Sequence, residues 1–98
     1  MKTDISKKLE QYNLTKFEKA VLIEVAKIQR GKVVSYKQIA QAIGRPNAYR
    51  AVGNALKKNP IPLLIPCHRV IRSDGDIGKY AFGGKVRKRE LLKKEGAI

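Results

Sequence analysis

The architecture of this chain follows from residues 35–56, SYKQIAQAIGRPNAYRAVGNAL. Ser35 and Gln38 form a capping-box pattern, which predicts a helix that runs to the following glycine. Residues 45–47 predict a turn whose last residues begin a second helix, which continues to Leu56. Two short helices joined by a tight glycine-containing turn form a helix-turn-helix, whose second helix can lie on DNA. An ordinary helical hairpin of a small bundle fits the same pattern.

Charge is the strongest compositional signal of the chain. Its 98 residues include 22 Lys plus Arg against 8 Asp plus Glu, which gives a net charge of +14. A basic balance this large in so small a chain indicates a polyanionic partner, usually nucleic acid. A generally solubilising surface, or a ribosome-associated protein without chemistry, is the alternative. Phosphate contacts carry no base information, so the charge does not predict sequence preference.

Length and hydropathy indicate one small folded domain over residues 1–98. Hydrophobic residues make up 43% of the chain, which suits a single modest core. No stretch approaches the roughly 20 apolar residues that cross a bilayer, so we expect no membrane partner. Residues 1–4 are not followed by the apolar core of a signal peptide, and we expect a cytoplasmic protein.

Three further helices are predicted around the helix-turn-helix. Apolar residues at helical spacing indicate a short lead helix within residues 1–14. Thr15 and Glu18 form another capping-box pattern, which opens a helix that continues to Gln29. A last helix spans residues 85–94. Its apolar residues are expected to face inward: Val86, Leu91 and Leu92.

A small β-wing is predicted after the helix-turn-helix. Pro60 and Pro62 exclude a helix and favour an extended path for the segment that follows. Residues 70–71 are predicted as a strand, 73–76 as a hairpin turn with an Asp-Gly signal, and 77–80 as the returning strand. The predicted fold class is therefore mostly α with a small β-wing, a winged helix-turn-helix-like single domain.

The only cysteine and the only histidine of the chain are adjacent, at Cys67 and His68. This pairing puts a soft nucleophile next to the side chain that titrates near neutral pH. The apolar run 61–65 leads into the pair, which indicates that it emerges from the core. A lone cysteine is most often a buried small hydrophobe, however, so adjacency alone does not establish a reactive site.

One cysteine also limits the chemistry that the chain can support. It cannot form an internal disulfide or a cysteine-based zinc site. One cysteine and one histidine are too few ligands for a metal without carboxylates, which the sequence does not place beside them. We predict no metal site and no cofactor, and a free thiol fits a reducing cytoplasm.

Five blocks of sequence run in the order and spacing of one protein family. They are 31–36 (GKVVSY), 50–53 (RAVG), 59–62 (NPIP), 65–70 (IPCHRV) and 95–96 (EG). Through these blocks the chain resembles the O6-alkylguanine-DNA alkyltransferases, specifically their C-terminal active-site domain. The resemblance covers residues 15–96, and the Pro-Cys-His-Arg-Val segment is its most distinctive part.

The resemblance implies repair of DNA by direct alkyl transfer. An alkyl group on the O6 atom of guanine would move irreversibly to Cys67, so each molecule would act once. The implied partner is double-stranded DNA carrying O6-alkylguanine, approached from the minor groove by a monomer. The family flips the damaged base into a pocket near the cysteine, since a base inside a duplex is unreachable.

Four residues match the catalytic positions of that family. Cys67 matches the nucleophile, His68 a base that usually acts through a water, and Glu95 the carboxylate that orients the histidine. Neighbours on an extended chain point to opposite sides, which also favours a water between the cysteine and the histidine. Asn59 matches an asparagine that supports the active-site turn, although a helix C-cap explains it as well.

Four more residues match positions that contact DNA and extrude the base. Tyr36 matches a tyrosine that helps flip the nucleotide, although an aromatic residue of the core at a helix start is the simpler interpretation. Arg50 matches the arginine that fills the gap in the stack, and phosphate binding is the alternative. Ala51 and Gly53 belong to a run of small residues that suits close approach to a groove or tight helix packing.

The alkylguanine pocket is expected at Val70, Tyr80 and Ala81, by the same resemblance. Arg69 is expected to have a structural role, through a salt bridge or a backbone contact. The sequence departs from the family pattern in three places. The usual N-terminal domain is missing from the sequence, Asn54 replaces a second glycine, and the loop 80–84 is one residue longer than usual.

Two other functions remain open at this point. A non-catalytic sensor similar to the alkyltransferase-like proteins would bind alkylguanine, but those proteins have another residue in place of the cysteine, and Cys67 is present here. A plain winged-helix regulator or architectural DNA-binding protein explains the charge and the helix-turn-helix. It does not explain a Cys-His pair followed by Glu95-Gly96.

Overall fold

A computed structural model describes residues 2–62 and 64–98, and places five α-helices and two short strands within them. In chain order they are α1 (Lys2–Glu10), α2 (Lys16–Ala26), β1 (Val34–Ser35), α3 (Tyr36–Ala42), α4 (Tyr49–Leu56), β2 (Val70–Ile71) and α5 (Gly84–Lys94). The predicted fold class, mostly helical with a small sheet and a helix-turn-helix, is confirmed. Met1 and Leu63, which belong to the predicted lead segment and apolar run, lie outside the described residues.

Both predicted capping boxes form, and they fix where α2 and α3 begin. The Thr15 hydroxyl accepts a hydrogen bond from the Glu18 amide at 3.1 Å, and the Glu18 carboxylate accepts from the Thr15 amide at 2.9 Å. Ser35 and Gln38 repeat this exchange at 3.0 and 2.8 Å. Each box satisfies amides that the first helical turn would otherwise leave unpaired.

The sheet joins the helix-turn-helix to the Cys-His segment. Strands β1 and β2 are parallel, with Val34 opposite Val70 and Ser35 opposite Ile71. Strand β1 leads directly into α3, and β2 directly follows a short 3-10 turn formed by Cys67–Arg69. The sheet therefore brings Cys67, which is distant in sequence, near the start of α3, where Tyr36 lines the same cavity.

The predicted β-hairpin was wrong in its second strand. Residues 73–76 do turn, since the Arg72 amide donates to the Asp76 carbonyl at 2.9 Å, but residues 77–80 form no strand. Side chains, rather than a second strand, form hydrogen bonds with backbone groups of this segment. The Asp76 carboxylate accepts from the Gly78 amide at 2.9 Å, and the Lys79 carbonyl accepts from Lys88 Nζ at 3.2 Å.

The extended path predicted for residues 61–65 was also wrong. The Leu64 and Ile65 amides both donate to the Ile61 carbonyl at 2.9 Å, which makes this segment a turn. The Asn59 side chain explains it, because its carbonyl accepts from the Ile61 amide at 3.0 Å and its amide donates to the Ile65 carbonyl at 2.9 Å. These two bonds draw the ends of the segment together.

Two helix boundaries differ from the prediction. Helix α2 ends at Ala26 rather than at Gln29. The Ile28 carbonyl beyond it accepts from Arg69 Nη1 at 2.7 Å. Helix α4 begins at Tyr49, because the preceding residues close a turn in which the Ala48 amide donates to the Arg45 carbonyl at 2.9 Å.

One core packs the helices together. Helices α2 and α4 contribute three buried apolar residues each, and α3, β2 and the Cys67 turn add others. Its buried apolar members include Leu9, Val21, Leu22, Val25, Ile39, Val52, Leu56, Ile65 and Val70. Leu92 is buried as predicted, but Val86 is 75% exposed, so the expectation that it faces inward was wrong. Across residues 2–62 and 64–98, no helix has the length and apolar character to span a bilayer.

We predict that Ser35→Ala lowers the free energy of unfolding by about 1 kcal/mol, because it removes the side-chain acceptor at the start of α3. In a domain of this size the midpoint of thermal unfolding should fall by roughly 4–8 °C. Thermal unfolding followed by circular dichroism measures it. Ser6→Ala, an exposed serine of α1, is the matched control and should leave the midpoint unchanged. Equal midpoints for wild type and Ser35→Ala would contradict the cap assignment.

Candidate active site

The 3-10 turn separates the side chains of Cys67 and His68. Cys67 is 4% exposed and lines a cavity of about 740 Å³. His68 lines a second cavity, of about 470 Å³, whose described lining does not include Cys67. The turn is fixed by two backbone bonds, from the Cys67 amide to the Ile65 carbonyl at 2.8 Å and from the Arg69 amide to the Pro66 carbonyl at 2.9 Å. Adjacency in sequence is therefore not a direct contact between the two reactive groups.

Asn59 supports this turn from beneath. It is 3% exposed, and both ends of its amide are used within the segment that leads to Cys67, by Ile61 and Ile65. A buried amide with both hydrogen-bonding ends satisfied fixes the path of the backbone around it. The sequence predicted that Asn59 supports this turn, and its side chain bonds to the segment that leads to Cys67.

His68 is joined to Glu95, which follows α5. Its Nε2 atom lies 3.0 Å from Glu95 Oε2, and the histidine is only 7% exposed. The Tyr80 ring stands edge-on to the imidazole, with 6.4 Å between the ring centres. The sequence predicted the pairing of His68 with Glu95, and the geometry brings them together.

Arg69 binds the same carboxylate with two parallel hydrogen bonds. Its Nε and Nη2 atoms donate to Glu95 Oε1 and Oε2 at 3.0 and 2.8 Å. Its third bond, at 2.7 Å, goes to the Ile28 carbonyl at the end of α2. The salt bridge or backbone contact expected of Arg69 is confirmed, since both are present. The salt bridge also makes Arg69 part of the electrostatics of the site.

The protonation states of the site follow from these contacts. Arg69 lowers the pKa of Glu95 to about 2, with a further contribution from His68, so the carboxylate is charged at neutral pH. Burial lowers the pKa of His68, and the attraction of Glu95 only partly opposes this, so the imidazole is neutral. A charged carboxylate only accepts hydrogen bonds, so Nε2 carries the proton of the neutral ring. The free, basic nitrogen is therefore Nδ1.

Lys88 is a functional candidate that the sequence analysis missed. It lies on α5 and is only 1% exposed. Its Nζ atom donates to the Lys79 carbonyl at 3.2 Å and stands 5.7 Å from the centre of the Tyr36 ring. Burial lowers its pKa to about 8, and the charges of Cys67 and Asp76 oppose this fall. In the sequence it was one of six basic residues along a helix, and nothing marked it as the buried one.

The thiol of Cys67 is tuned by opposing effects. Burial raises its pKa, while the amide of Asn59 and the charge of Lys88 lower it in part. At neutral pH the group is therefore held as a thiol, with a cation close enough to favour the thiolate once a proton is removed. A nucleophile in this state needs a nearby base.

The large cavity brings together six of the residues predicted for DNA contact, base extrusion and chemistry: Tyr36, Arg50, Gly53, Cys67, Tyr80 and Ala81. Burial raises the pKa of both tyrosines, so their hydroxyls keep their protons. Gly78 is required in the wall, because an added Cβ would lie 3.2 Å from the Tyr36 hydroxyl and the backbone φ there is +77°.

Two residues predicted for the DNA surface and the alkylguanine pocket lie apart from this cavity. Val70 is fully buried in β2 and belongs to the core, and Ala51 is exposed on α4. Neither is among the described residues that line the cavity. The rim is strongly basic, and its charged residues are Lys37, Arg50, Lys57, Arg72, Lys79, Lys85 and one carboxylate, Asp76. Within the described part of the chain, no group of three His, Cys, Asp or Glu side chains is placed to hold a metal ion.

Comparison with known proteins gives a consistent family. Residues 16–97 match the family described as 6-O-methylguanine DNA methyltransferase, DNA binding domain. A methylated-DNA--protein-cysteine methyltransferase of Rattus norvegicus is 53% identical over 81 residues, which cover 82% of this chain and 39% of the relative. The chain thus spans about two fifths of the length of the first curated relatives it matches.

Solved structures agree with the sequence comparison. Mycobacterium tuberculosis OGT in complex with DNA has a TM-score of 0.81 and 44% identity, over 85% of this chain and 50% of that one. S. pombe Atl1 in complex with damaged DNA containing O6-carboxymethylguanine has a TM-score of 0.75 and 35% identity, over 87% of this chain and 80% of that one.

We predict that Lys88→Met stabilises the protein at neutral pH, by up to roughly 3 kcal/mol. Burial removes water from the charged ammonium of the wild type, which destabilises the fold. Folding lowers the pKa of Lys88, so burial of its charge reduces the free energy of unfolding most below pH 8. This loss disappears above the pKa of the unfolded chain, about 10.5. The gain in the thermal midpoint of the variant should therefore shrink as pH rises from 8 to 10.5. Thermal unfolding across this range measures it.

Lys93→Met, an exposed position on the same helix, is the control and should leave the midpoint unchanged at every pH. A loss of stability in Lys88→Met at pH 7 would show that the Lys79 and Tyr36 contacts outweigh the desolvation of the ammonium.

Proposed function

The chain belongs to the 6-O-methylguanine DNA methyltransferase family, and we propose that it repairs DNA by moving an alkyl group from the O6 atom of guanine to Cys67. On this proposal it is a methylated-DNA--protein-cysteine methyltransferase, and its domain carries both the DNA-binding surface and the acceptor site. Its substrate is double-stranded DNA that contains O6-alkylguanine.

One observation carries the proposal. A buried thiol opens onto a large cavity with a basic rim, and a neutral histidine held by a charged carboxylate lies on the other side of the same turn. An ordinary DNA-binding domain has no use for this combination of groups. A nucleophile, a base and a residue that orients the base are the parts of covalent catalysis.

The cavity supports extrusion of the damaged base. Its volume of about 740 Å³ falls within the range of sites that hold drug-sized ligands. Tyr36 and Tyr80 offer rings and protonated hydroxyls along its wall, and the thiol of Cys67 opens into it. We propose that the alkylated guanine rotates into this space, with Tyr36 aiding its rotation and Arg50 filling the gap it leaves in the stack.

The proposed reaction is a single displacement. The thiol proton of Cys67 moves to Nδ1 of His68, through a water because the turn directs the two side chains apart. The thiolate sulfur forms a bond to the alkyl carbon, the bond from that carbon to O6 breaks, and its electron pair stays on the guanine. The guanine anion then takes up one proton from water, the imidazolium of His68 returns its proton to water, and Lys88 stabilises the thiolate while it exists.

The product explains why each molecule would act once. Cys67 becomes a thioether, which is a poor leaving group in water and has no proton left to give. Among the residues described here, none is placed to remove the alkyl group, and the cysteine is the only one in the sequence. The restored guanine can return to the duplex while the protein remains alkylated.

Charge and shape support binding of the duplex on the face that carries α4. The basic rim can neutralise phosphates, and Arg50 and Gly53 lie where α4 borders the cavity. We propose that the protein binds as a monomer and that α4 enters the minor groove. An arginine together with small residues lets the backbone approach closely there.

The non-catalytic sensor is the second candidate, because the chain also resembles Atl1 over most of the length of that protein. A sensor needs the cavity and the basic rim but no nucleophile. The buried thiol with its Asn59 support and its neighbouring base favours the transfer reaction.

We predict that incubation with a duplex containing O6-methylguanine adds the mass of one methyl group to the protein, on the peptide that contains Cys67. Intact mass spectrometry followed by peptide mapping measures it. Cys67→Ala should still bind the lesion but should gain no mass, since its acceptor sulfur is absent.

A folded wild-type protein that gains no mass would refute the proposal. Preference for lesion over plain DNA without transfer would then identify a sensor, and equal affinities would identify a general DNA-binding protein. Methylation of Cys67→Ala would mean that another residue is the acceptor.

A further inference from the structure

Tyr49 is the exposed aromatic residue of this chain, since the five other Phe and Tyr residues are partly buried. It is the first residue of α4 and directly precedes Arg50. Its side chain is 38% exposed and lines the rim of the large cavity. A single exposed apolar side chain does not by itself mark an interaction surface, so the function of this ring depends on the groups around it.

The side chains that α4 shows to the cavity form two adjacent rows. Residues 49, 53 and 57 make one row, and residues 50 and 54 make the other, each at intervals of four. Tyr49 stands at the N-terminal end of the first row. The ring therefore lies on the cavity-facing surface that also carries Arg50, one helical turn before Gly53.

The ring is held in place by a charge from the neighbouring helix. Lys37 Nζ, on α3, lies 5.4 Å from the centre of the Tyr49 ring, within the range of a cation–π contact. Such a contact at an exposed site contributes about 0.5–1 kcal/mol, enough to favour one orientation of the ring. The ammonium covers part of the ring, and the remaining exposed area is available to a partner.

The chemistry of the surroundings identifies the partner as nucleotide. Tyr49 is neutral, but the rim around it carries Lys37, Arg50 and Lys57, which attract phosphates. Bases have flat π-faces, and stacking of a base on an aromatic side chain is worth roughly 1–3 kcal/mol. An exposed ring among cations thus suits the base of a nucleotide whose phosphate the cations bind.

We propose that the Tyr49 ring packs against a nucleotide that flanks the extruded one, and so holds the opened duplex on α4 while Arg50 occupies the gap. This assignment rests on the proposed function. It makes Tyr49 a positioning residue, which binds DNA next to the lesion and takes no part in the chemistry at Cys67. The ring acts through its face, and the hydroxyl is dispensable.

The test measures the dissociation constant for fluorescent duplexes in a Cys67→Ala background, which prevents transfer. Tyr49→Phe should bind the O6-methylguanine duplex as tightly as the parent. Tyr49→Leu, which keeps an apolar side chain and helix propensity but has no π-face, should bind about tenfold more weakly. Because tyrosine is uncharged, the slope of log affinity against log salt should stay unchanged.

Abasic sites identify the contacted nucleotide. Each nucleotide that flanks the lesion pair, on either strand, is replaced in turn by an abasic residue. At one of these positions the difference between the parent and Tyr49→Leu should disappear, because the base that stacks on the ring is already gone. Val86→Ala, which removes an exposed apolar side chain outside the cavity, should leave every affinity unchanged.

Three results would overturn the proposal. Tyr49→Leu could bind the lesion duplex as tightly as the parent, Tyr49→Phe could lose as much affinity as the leucine variant, or the leucine penalty could persist at every abasic position. The outcome is separate from the proposed function. These affinities are measured without transfer, so failure of the wild type to be methylated would refute the transfer reaction while leaving them interpretable.

Discussion

The Glu95 carboxylate is bound by two side chains at once, and the arrangement of the site depends on it. Arg69 donates two hydrogen bonds to it and His68 donates one. Through Arg69 the carboxylate is also connected to the Ile28 carbonyl at the end of α2. Three parts of the chain that are far apart in sequence therefore meet at one charged group, on the side of the turn opposite to the thiol.

This carboxylate also sets the chemistry of the histidine. A buried imidazole would rotate or change tautomer freely without a fixed acceptor. Because Arg69 keeps Glu95 charged, the acceptor is permanent, and the proton of the neutral ring is fixed on Nε2. Burial keeps the ring neutral, so Nδ1 is ready to receive a proton. The charge of the buried Lys88 lowers the pKa of Cys67 and so favours the thiolate. Burial of that charge reduces the stability of the fold.

Local signals in the sequence predicted the helices well. The capping boxes at Thr15 and Ser35 needed only residues three positions apart, so they could be read directly from the chain. The errors came where distant groups decide the backbone. Asn59 bonds to the Ile65 carbonyl and so bends the segment that leads to Cys67 into a turn. Lys88 donates a hydrogen bond to the Lys79 carbonyl, which a paired strand would have used. Arg69 donates a hydrogen bond to the Ile28 carbonyl.

The residues of the site divide in the same way, into those that short motifs predict and those that depend on contacts between distant parts of the chain. Cys67, His68 and Glu95 could be named from short motifs that resemble a known family, and the structure places the last two in contact. Lys88 could not, because helical periodicity does not distinguish a buried lysine from five exposed basic neighbours on α5. Tyr49 also had no motif to mark it, since its exposure and its contact with Lys37 arise from the packing of α3 beside α4.

The central claim is that Glu95 presents His68 as a neutral base with Nδ1 free. Nitrogen-15 NMR of the histidine-labelled protein tests it directly, because the two ring nitrogens of the single histidine have distinct shifts in each tautomer. At pH 7 the account predicts the Nε2–H tautomer, with a pKa below the ordinary value of about 6.5. A proton on Nδ1, or an imidazolium at pH 7, would contradict it.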